Sequence, residues 1–538
     1  QALTPAQIEL WLATQINDNS SRAFNENLVL KLTGTVNVEA MTSGVQKIVA
    51  RHEALRSTFA DDGSYQEIKR VLAIDVPFTD LTSEPVDERQ AQLTESIQSV
   101  VDTPFDIAEG PLLRVHLFQV ADQEFCFLLS AHHLICDGWS SSVLLEELGM
   151  FYSAECQGVT AQLEPAMQIS EFCQWQASQA DAETAAASEK FWTDCYADVP
   201  EPLELPTSGA RPPIQTFNGR TLQMPIDDEI FAGIKKVGAN NGSTLSTTLL
   251  MAYKVLLARL SGQDDIVVGI SLAGQGLVDG ERLVGHCVNM LPMRSHVDGG
   301  KSFSDLLCVE NRAMLDTRDY QNYTFGQLLA NLTLSRDPSR TPLVSAEFTL
   351  EPKLSKLEYY GLETEVLPDP NLYYNKDIFF NFEASPKSLS LLCEYNNDLF
   401  DTETIRRWLN CFQALLASII AEPEAAVASL PMLDDMSQQV VAAWNNTAAP
   451  YPEIPVISQI EATAKRRPDA IAVTSAYDSC TYSELIERSG QIANRLAEAG
   501  ATPDSIVGIC MERSIDAVVA LLGVWQTGAA YLPLDPTF

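Results

Sequence analysis

Two adjacent histidines, His132 and His133, are the residues whose types and spacing most directly suggest chemistry. They end the apolar run "EFCFLLSAHH", and Asp137 and Gly138 follow within a few residues. An imidazole exchanges a proton near neutral pH, so a histidine that faces a cleft could act as a general base or orient a nucleophile. A packed core histidine followed by a turn is the alternative, and the pattern alone leaves both open.

The elements around the pair decide which histidine can face a cleft. Residues 124–133 are predicted to form a buried strand, because a short apolar run bounded by turn residues is typical of one. Neighbouring side chains on a strand point to opposite faces, so His132 and His133 cannot have the same function. Asp137 in the following turn can accept a hydrogen bond, and Gly138 leaves space where a side chain would block access.

The remaining patterns predict an α/β protein with more than one compact unit. Thr4, Pro5 and Gln7 predict a helix that begins with a capping box. Ser140 or Ser141 is predicted to cap the helix after the histidines. The proline-rich "VPEPLELPTSGARPP" predicts a crossing between two lobes, and "MSQQVVAAWNNTAAPYPEIP" predicts a domain boundary. Beyond that boundary, strand, helix and strand alternate as in a βαβ unit.

Composition excludes several classes of protein. The chain has 538 residues, 46% of them hydrophobic, which predicts roughly two to four units with sizeable cores. A net charge of −37 without any run of bases argues against nucleic-acid binding. No apolar run reaches membrane-spanning length, and Gln1 opens the sequence without a charged-then-apolar leader, so we expect neither membrane insertion nor secretion. Eleven scattered cysteines without a C-x-x-C pair predict reduced thiols in the cytoplasm and no metal site.

Several motifs resemble those of one family. "HHLICDG" matches the His-His-x-x-x-Asp-Gly signature of the condensation domains of nonribosomal peptide synthetases. Other segments are similar to further motifs of that family, in the same order, and the resemblance covers about residues 1–436: "LTPAQIELWL", "RHEALRSTF", "VGHCVNMLPMR", "RDYQNYTFGQLL" and "SRDPSRTPLVSAEF". "CTYSELIERSGQIANRLAEAG" and "WQTGAAYLPLDP" resemble the first two motifs of an adenylation domain, and the phosphate-binding Gly-rich loop of that domain does not follow.

The resemblance implies an α/β fold and an acyltransferase activity. Two lobes similar to chloramphenicol acetyltransferase would form a V-shaped pseudo-dimer, with the active site where they meet. The implied parts are an N-lobe at 1–176, a C-lobe at 177–436, a linker at 437–455 and a truncated adenylation segment at 456–538. The implied reaction forms an amide bond between an acyl thioester on an upstream carrier protein and the amine of an aminoacyl thioester on a downstream one. The only cofactor implied is 4'-phosphopantetheine, which the partner carriers hold, and the rest of the adenylation domain is a further implied partner.

The resemblance also implies roles for the motif residues. His133 would accept a proton from the attacking amine or orient that amine by a hydrogen bond. His132 would face away and hold the strand by hydrogen bonds. Asp137 would have a structural role and pair with Arg294 across the site, because a buried carboxylate needs a partner.

Four further residues are implied to shape the tunnel between the lobes. Gly138 would leave it open and could turn its N–H toward the developing oxyanion. Trp139 and Ser140 would line the tunnel, with a core position for Trp139 equally open. Asn289 would shape the wall.

Two other functions of the same fold stay open. An epimerisation domain shares the His-His-x-x-x-Asp-Gly core, but this chain has "GWSSSVL" where those usually carry Val-Ser-Trp-Arg. A non-catalytic module that docks carriers or tailoring enzymes usually lacks the histidines, and this chain retains both. "SSRAFNENLVLKL" and "TFNGR" resemble the hybrid subtype that follows polyketide modules, so the donor could be a polyketide-derived acyl chain.

Overall fold

The computed structural model describes residues 1–179, 182–278, 282–335, 337–354 and 357–537. They separate into two compact units, Gln1–Gln439 and Val440–Phe538. The first unit is built on two large mixed sheets, and the second is a smaller α/β unit.

Strands and helices alternate along most of the first unit. Its strands are β1 (Asn25–Thr33), β2 (Ser57–Phe59), β3 (Gln66–Ile68), β4 (Phe78–Asp80), β5 (Leu113–Ala121), β6 (Glu124–His132), β7 (Gly219–Ile226), β8 (Asp265–Ala273), β9 (Val288–His296), β10 (Ala346–Pro352), β11 (Glu363–Leu367), β12 (Ile378–Ala384) and β13 (Leu389–Asn396). Its helices are α1 (Pro5–Thr14), α2 (Asp18–Arg22), α3 (Val38–Arg51), α4 (Val86–Val101), α5 (Gly138–Gln157), α6 (Ile169–Ser178), α7 (Ala182–Cys195), α8 (Asp228–Asn240), α9 (Leu245–Ser261), α10 (Phe303–Asp319), α11 (Phe325–Asn331) and α12 (Thr402–Ala421), and α13 (Asp435–Asn445) contains the boundary to the second unit.

Local signals set several of these elements. Thr4 caps α1 in a capping box with Gln7, as predicted. A turn at Asp62 and Gly63 joins the antiparallel strands β2 and β3, and Gly63 has a positive φ of 66° that favours glycine. Helix α9 is followed by Gly262 in the left-handed conformation, which glycine adopts without strain.

The N-lobe contains a five-stranded sheet in the order β11-β1-β6-β5-β4. Strands β1, β6 and β5 are consecutive antiparallel neighbours, and α3 packs against α5 on one face. Strand β11 comes from the C-terminal half of the sequence and pairs antiparallel with β1, Val29 opposite Leu367. The assignment of the whole of 177–436 to the C-lobe therefore needs correction at this strand, because a non-local pairing leaves no signal in the local pattern.

The C-lobe contains a six-stranded sheet in the order β7-β13-β12-β10-β8-β9. Side chains in the first half of β10 and in most of β12 and β13 alternate between two environments, as the period of two on a strand requires. One face is a buried apolar core packed on α8, α9 and α12. The other face is partly exposed and carries four glutamates: Glu347, Glu351, Glu383 and Glu394.

The second unit has its own small core. Its elements are α14 (Val456–Arg466), β14 (Ile471–Thr474), β15 (Ser479–Thr481), α15 (Tyr482–Glu498), β16 (Ile506–Cys510), α16 (Ile515–Gln526) and β17 (Ala530–Leu534). The βαβ unit lies further along the chain than the sequence analysis places it. Strand β14, at the start of this unit, pairs antiparallel with β15, and the βαβ unit consists of β16, α16 and the parallel strand β17. Within the described ranges of the whole chain, no helix is long and apolar enough to cross a membrane.

Candidate active site

The site forms where β6 ends and α5 begins. Strand β6 is almost entirely buried and stops at His132. Helix α5 begins at Gly138, and Asp137 is its N-cap, with an extended backbone and a carboxylate that accepts a hydrogen bond from the Ser140 N–H. The prediction that Ser140 or Ser141 caps this helix is therefore wrong. The helix starts earlier because an aspartate satisfies the first free N–H groups at least as well as a serine.

His132 is fully buried and has polar partners at both ring nitrogens. Its Nδ1 accepts a hydrogen bond from the Leu134 N–H at 3.2 Å, and its Nε2 lies 3.4 Å from Ser21 Oγ. The ring also packs edge-on against Phe105. Burial, with the neighbouring His133, lowers the pKa of His132 to about 3. A histidine that stays neutral at working pH and touches only protein holds the end of β6 in place.

His133 faces the opposite way and keeps 22% of its side chain exposed. Its backbone N–H donates to the Phe24 carbonyl at 2.7 Å, which extends the pairing of β6 with the N-terminal end of β1. Its Nε2 lies 3.3 Å from Glu26 Oε1, and its Nδ1 lies 3.1 Å from His286 Nδ1. The two imidazole rings are nearly perpendicular, with centroids 4.8 Å apart. This histidine therefore combines access from the cleft with two fixed polar neighbours.

The sequence analysis missed Glu26 and His286. Glu26 lies on β1 opposite Ala131 of β6, on the same face as His133, and this register is not readable from either strand alone. His286 lies in the segment between β8 and β9, which crosses to the N-lobe and packs Leu283 and Val284 into that core. One signal was available: His286 is one of only six histidines and lies inside a motif that resembles the family.

Asp137 is fully buried and accepts hydrogen bonds from three residues. Its Oδ1 accepts from the Ser140 N–H at 2.8 Å and from Ser140 Oγ at 2.7 Å. Its Oδ2 accepts from Gln275 Nε2 at 2.9 Å and from the Cys287 N–H at 3.1 Å. Four donors, from α5 and from the β8–β9 connection, thus surround the carboxylate, and these hydrogen bonds connect the two lobes. None of the four donors is a cationic group.

The prediction that Arg294 pairs with Asp137 is wrong. Arg294 forms ion pairs with Asp198 and Asp265 at 3.0 and 2.8 Å, and both partners raise the pKa of its guanidinium. The length of β9 explains the separation. Because a strand advances about 3.3 Å per residue, Arg294 lies about 20 Å along the strand from Cys287, where the main chain touches Asp137.

The structure places the four predicted tunnel residues differently from one another. Ser140 is fully buried, so the prediction that it lines the tunnel is wrong; its Oγ instead accepts a hydrogen bond from the Gly285 N–H. Trp139 is 42% exposed, which excludes the core position. Asn289 donates hydrogen bonds to the carbonyls of Gln321 and Tyr323 and lines a cleft together with His286.

Glu351 occupies the space beside Gly138. A Cβ at Gly138 would lie 3.0 Å from Glu351 Oε1, so glycine at this position makes room for a carboxyl group from the C-lobe sheet. Glu351 is an exposed residue, and its carboxyl group points toward Gly138 and lies near other carboxyl groups. Burial, with Glu26 and Asp137 nearby, raises the pKa of Glu351 to about 7.

The cleft between the lobes is rich in carboxyl groups with raised pKa values. Burial raises the pKa of Glu26 and raises that of Glu394 well above its ordinary value. Asp369 is exposed, and loss of hydration together with the nearby Glu26 raises its pKa to about 7. Lys376 provides a positive charge, 3.6 Å from Glu347. Among the residues that the structure describes, no group of three His, Cys, Asp or Glu side chains could hold a metal ion.

This arrangement can transfer a proton or orient a nucleophile at His133. The imidazole lies at the boundary between a buried, hydrogen-bonded strand end and an open cleft, which is the position required of a general base. It is held in place by the main chain of β1 and by two side chains from different elements. Its neighbour His132 cannot substitute for it, because that ring is enclosed on all sides.

Comparison with known proteins defines the class. The family described as condensation domain matches residues 1–441, and the family described as AMP-binding enzyme matches residues 460–538. The chain therefore belongs to the condensation-domain family and continues into the start of an AMP-binding domain. Condensation domains of nonribosomal peptide synthetases catalyse amide-bond formation, an acyl transfer.

Similar proteins are large synthetases. The chain is 34% identical to one of the linear gramicidin synthase proteins of Brevibacillus parabrevis, over 100% of this chain and 7% of that protein. It is 32% identical to surfactin synthase subunit 1 of Bacillus subtilis (strain 168), over 99% of this chain and 15% of that protein. The chain thus spans a small part of the relatives that it matches.

Two solved structures show the same fold. A four-domain nonribosomal peptide synthetase bound to AMP and glycine superposes with a TM-score of 0.82 at 21% identity, over 100% of this chain and 42% of that one. The X-domain in its complex with OxyB from teicoplanin biosynthesis superposes with a TM-score of 0.71 at 22% identity, over 81% of this chain and 96% of that one.

Proposed function

We propose that this chain forms an amide bond between two carrier-bound substrates. The donor is an acyl thioester on an upstream carrier protein, and the acceptor is the amine of an aminoacyl thioester on a downstream carrier protein. The observation that carries this proposal is the position of His133, partly exposed to the cleft between two lobes and fixed by Glu26 and His286.

The bond changes are those of thioester aminolysis. The acceptor nitrogen forms a bond to the donor carbonyl carbon, and the carbon–sulfur bond breaks. The nitrogen loses a proton, the sulfur leaves as a thiolate and takes up a proton, and the products are an amide and a free thiol. His133 can carry a proton between the two because an imidazole is the side chain that ordinarily titrates near neutral pH.

His133 need not be a strong base for this reaction. An α-amino group has a pKa near about 8, so a substantial fraction of the acceptor is already neutral at working pH. Holding two tethered reactants in contact can contribute about 7–11 kcal/mol in favourable systems. The proposed role of His133 is therefore to orient the amine and to receive the proton that the nitrogen loses as the new bond forms.

The partners follow from the relatives and from the second family match. The phosphopantetheine arms belong to the two carrier proteins, so this chain needs to admit each arm and not to bind a resident cofactor. Residues 460–538 match only the beginning of an AMP-binding domain, so the proposed continuation supplies the rest of that domain. All eleven cysteines are free thiols in the structure, which supports a cytoplasmic location.

A docking function is the second candidate, because one observation favours it. The X-domain, solved in complex with OxyB, has the same fold. Fold alone therefore does not separate catalysis from recruitment. The hydrogen-bonded His133 favours catalysis in this chain, and an epimerisation activity would need the same histidine. The hybrid subtype, with a polyketide-derived donor, stays a prediction about which acyl chains are accepted.

The test is a transfer assay with carrier proteins loaded on both sides. Intact-protein mass spectrometry follows the mass of the acceptor carrier, with a panel of acyl donors that includes polyketide-type chains. We expect the parent to transfer the acyl group and His133→Ala to be slower by at least about a hundredfold. His296→Ala is the matched control, since His296 is an exposed histidine at the end of β9.

The alternatives give different results. A folded parent that binds both carriers but never extends the acceptor, whatever the donor, would favour docking. Inversion of the acceptor's α-carbon without a mass change would favour epimerisation. Full transfer by His133→Ala would remove the proposed role of this histidine.

A further inference from the structure

We propose that His286 and Glu26 are positioning residues that together decide which ring nitrogen of His133 carries the proton. The inference deepens the proposed function and rests on it for its kinetic consequence. The three side chains come from three elements: His286 from the segment before β9, His133 from the end of β6, and Glu26 from β1. They form a continuous chain of polar contacts at 3.1 and 3.3 Å.

The contact between the two imidazoles allows only one proton. His286 Nδ1 and His133 Nδ1 are 3.1 Å apart, so one nitrogen donates and the other accepts. Burial and the nearby His133 lower the pKa of His286 well below its ordinary value, so His286 is neutral and carries a single ring proton. A neutral imidazole can donate or accept at Nδ1, and the contact itself does not choose.

Glu26 makes the choice at the other end of His133. When its carboxylate is ionised it only accepts, so His133 Nε2 carries the proton and His133 Nδ1 accepts from His286. When Glu26 is protonated it can donate to His133 Nε2, and His133 Nδ1 then donates to His286. The two arrangements are the two directions of one hydrogen-bond chain. Only in the second is Nε2 unprotonated, so that it can take up a proton when the attacking amine replaces the Glu26 hydroxyl as its hydrogen-bond partner.

The reaction fits the second direction. An acceptor ammonium that gives one proton to the Glu26 carboxylate becomes a neutral amine and leaves a protonated Glu26. After the amine attacks, the nitrogen gives its second proton to His133 Nε2, while His133 Nδ1–H is held by His286. The leaving thiolate takes the proton from Nε2, and Glu26 returns the first proton to solvent, so the sum is ammonium plus thioester giving amide, thiol and one proton.

The surroundings favour the protonated form of Glu26 more than water does. Burial raises its pKa and Asp137 adds to that rise, while His133 lowers it. The titratable groups that surround the chain on every side are carboxyls and a neutral histidine: Asp137 from the start of α5, Glu351 from β10, Asp369 beyond β11, Glu394 from β13, and His132 from β6.

A purely structural role for His286 predicts a different response to substitution. His286 is 7% exposed, so a large ring there also fills space. His286→Phe keeps a ring of similar size but cannot hydrogen-bond to His133. His286→Asn is smaller but places an amide near the position of Nδ1, where it can donate or accept. Packing alone would make Phe the better tolerated variant, whereas positioning makes Asn the better one.

The first readout is kinetic and uses the full chain with loaded carriers. We expect His286→Phe to lower kcat by at least about tenfold with KM for either carrier unchanged, and His286→Asn to recover most of that loss. We expect Glu26→Gln to move the acid limb of kcat/KM to lower pH, because the variant removes a negative charge 3.3 Å from His133. Phe at parental kcat, Asn no better than Phe, or an unmoved acid limb would overturn the proposal.

The second readout is independent of turnover. Nitrogen-15 spectra of histidine-labelled protein distinguish protonated from unprotonated ring nitrogens. We expect His133 in the parent to show one dominant neutral tautomer. Glu26→Gln, whose amide can donate or accept, should show exchange between two tautomers, and His286→Phe should shift the His133 Nδ1 signal. A His133 spectrum that is identical in the parent and in either variant would overturn the inference. A parent that transfers no acyl group contradicts the proposed function, while the spectra still decide the positioning roles of His286 and Glu26.

Discussion

Asp137 is expected to be a structural anchor between the lobes, and its energetic weight can be worked out from its contacts. The carboxylate is fully buried and accepts four hydrogen bonds from Ser140, Gln275 and Cys287. Asp137→Ala removes the helix cap, worth about 1 kcal/mol, and leaves buried donors such as the Cys287 N–H and Gln275 Nε2 unpaired at about 1–3 kcal/mol each. We expect a total loss of about 3–7 kcal/mol in the free energy of unfolding.

Asp137→Asn should cost less, for a reason visible in the structure. The introduced amide keeps an oxygen toward Ser140 and turns its NH2 group toward Gln275 and Cys287. Gln275 has an unpartnered Oε1, so a flip of its side-chain amide supplies an acceptor. The flipped Gln275 NH2 then takes the place of the unpartnered Oε1, so the added cost is the lost partner of the Cys287 N–H, and we expect a loss of about 1–3 kcal/mol.

The assay is urea unfolding of the full chain, combined in a double-mutant cycle with Arg294→Ala. Arg294 pairs with Asp198, whose side chain is 88% exposed, and with the half-buried Asp265, so its loss should cost about 1 kcal/mol. Because Arg294 and Asp137 share no partner, the double variant should equal the sum of the single ones within about 0.5 kcal/mol. A coupling above about 1 kcal/mol would show that the two side chains interact and would refute the structural assignment. An Asn variant as damaging as Ala would refute the flip of Gln275.

Three further predictions concern titratable groups. The pKa of His132 falls to about 3, so this residue contributes about 5 kcal/mol of stability above pH 6.5, and the contribution disappears as the pH falls toward 3. His132→Asn can still accept the hydrogen bond from the Leu134 N–H, and its free energy of unfolding should depend less on pH over that window than that of the parent. The pKa of Glu351 rises to about 7, so the parent should lose stability as the pH rises from 4.5 to 7. The stability of Glu351→Gln relative to the parent should increase over that range and stay constant at higher pH. A difference in urea midpoint between variant and parent that is the same at about pH 5 and about pH 8 would contradict this. Lys254 and Glu310 form a buried ion pair at 2.6 Å. Lys254→Met should therefore lower the stability measured by thermal unfolding by about 3–5 kcal/mol, because it leaves the Glu310 charge unpaired, and adding Glu310→Leu should recover most of that loss. No recovery in the double variant would show that the lost stability came from packing.

Local patterns predicted the elements that hold the site. The period of two along β6 separated His132 from His133, and the structure has the first ring buried and the second at the cleft. The capping box at Thr4 was also readable, because a cap depends on residues a few positions apart. The helix cap after the histidines was misassigned because Asp137, Ser140 and Ser141 are all good N-caps, and only the folded backbone distinguishes them.

The family, the α/β class and the histidine that faces the cleft were all readable from the chain alone, since each depends on residue types at short and regular spacing. The surroundings of that histidine became visible only in the folded protein. Glu26, His286 and Glu351 reach His133 and Gly138 from β1, from the segment before β9 and from β10. The pairing of Asp137 with Gln275 rather than Arg294 depends on the same long-range packing. The register between strands and the path of a crossing segment result from the packing of the whole core, and no local pattern encodes them.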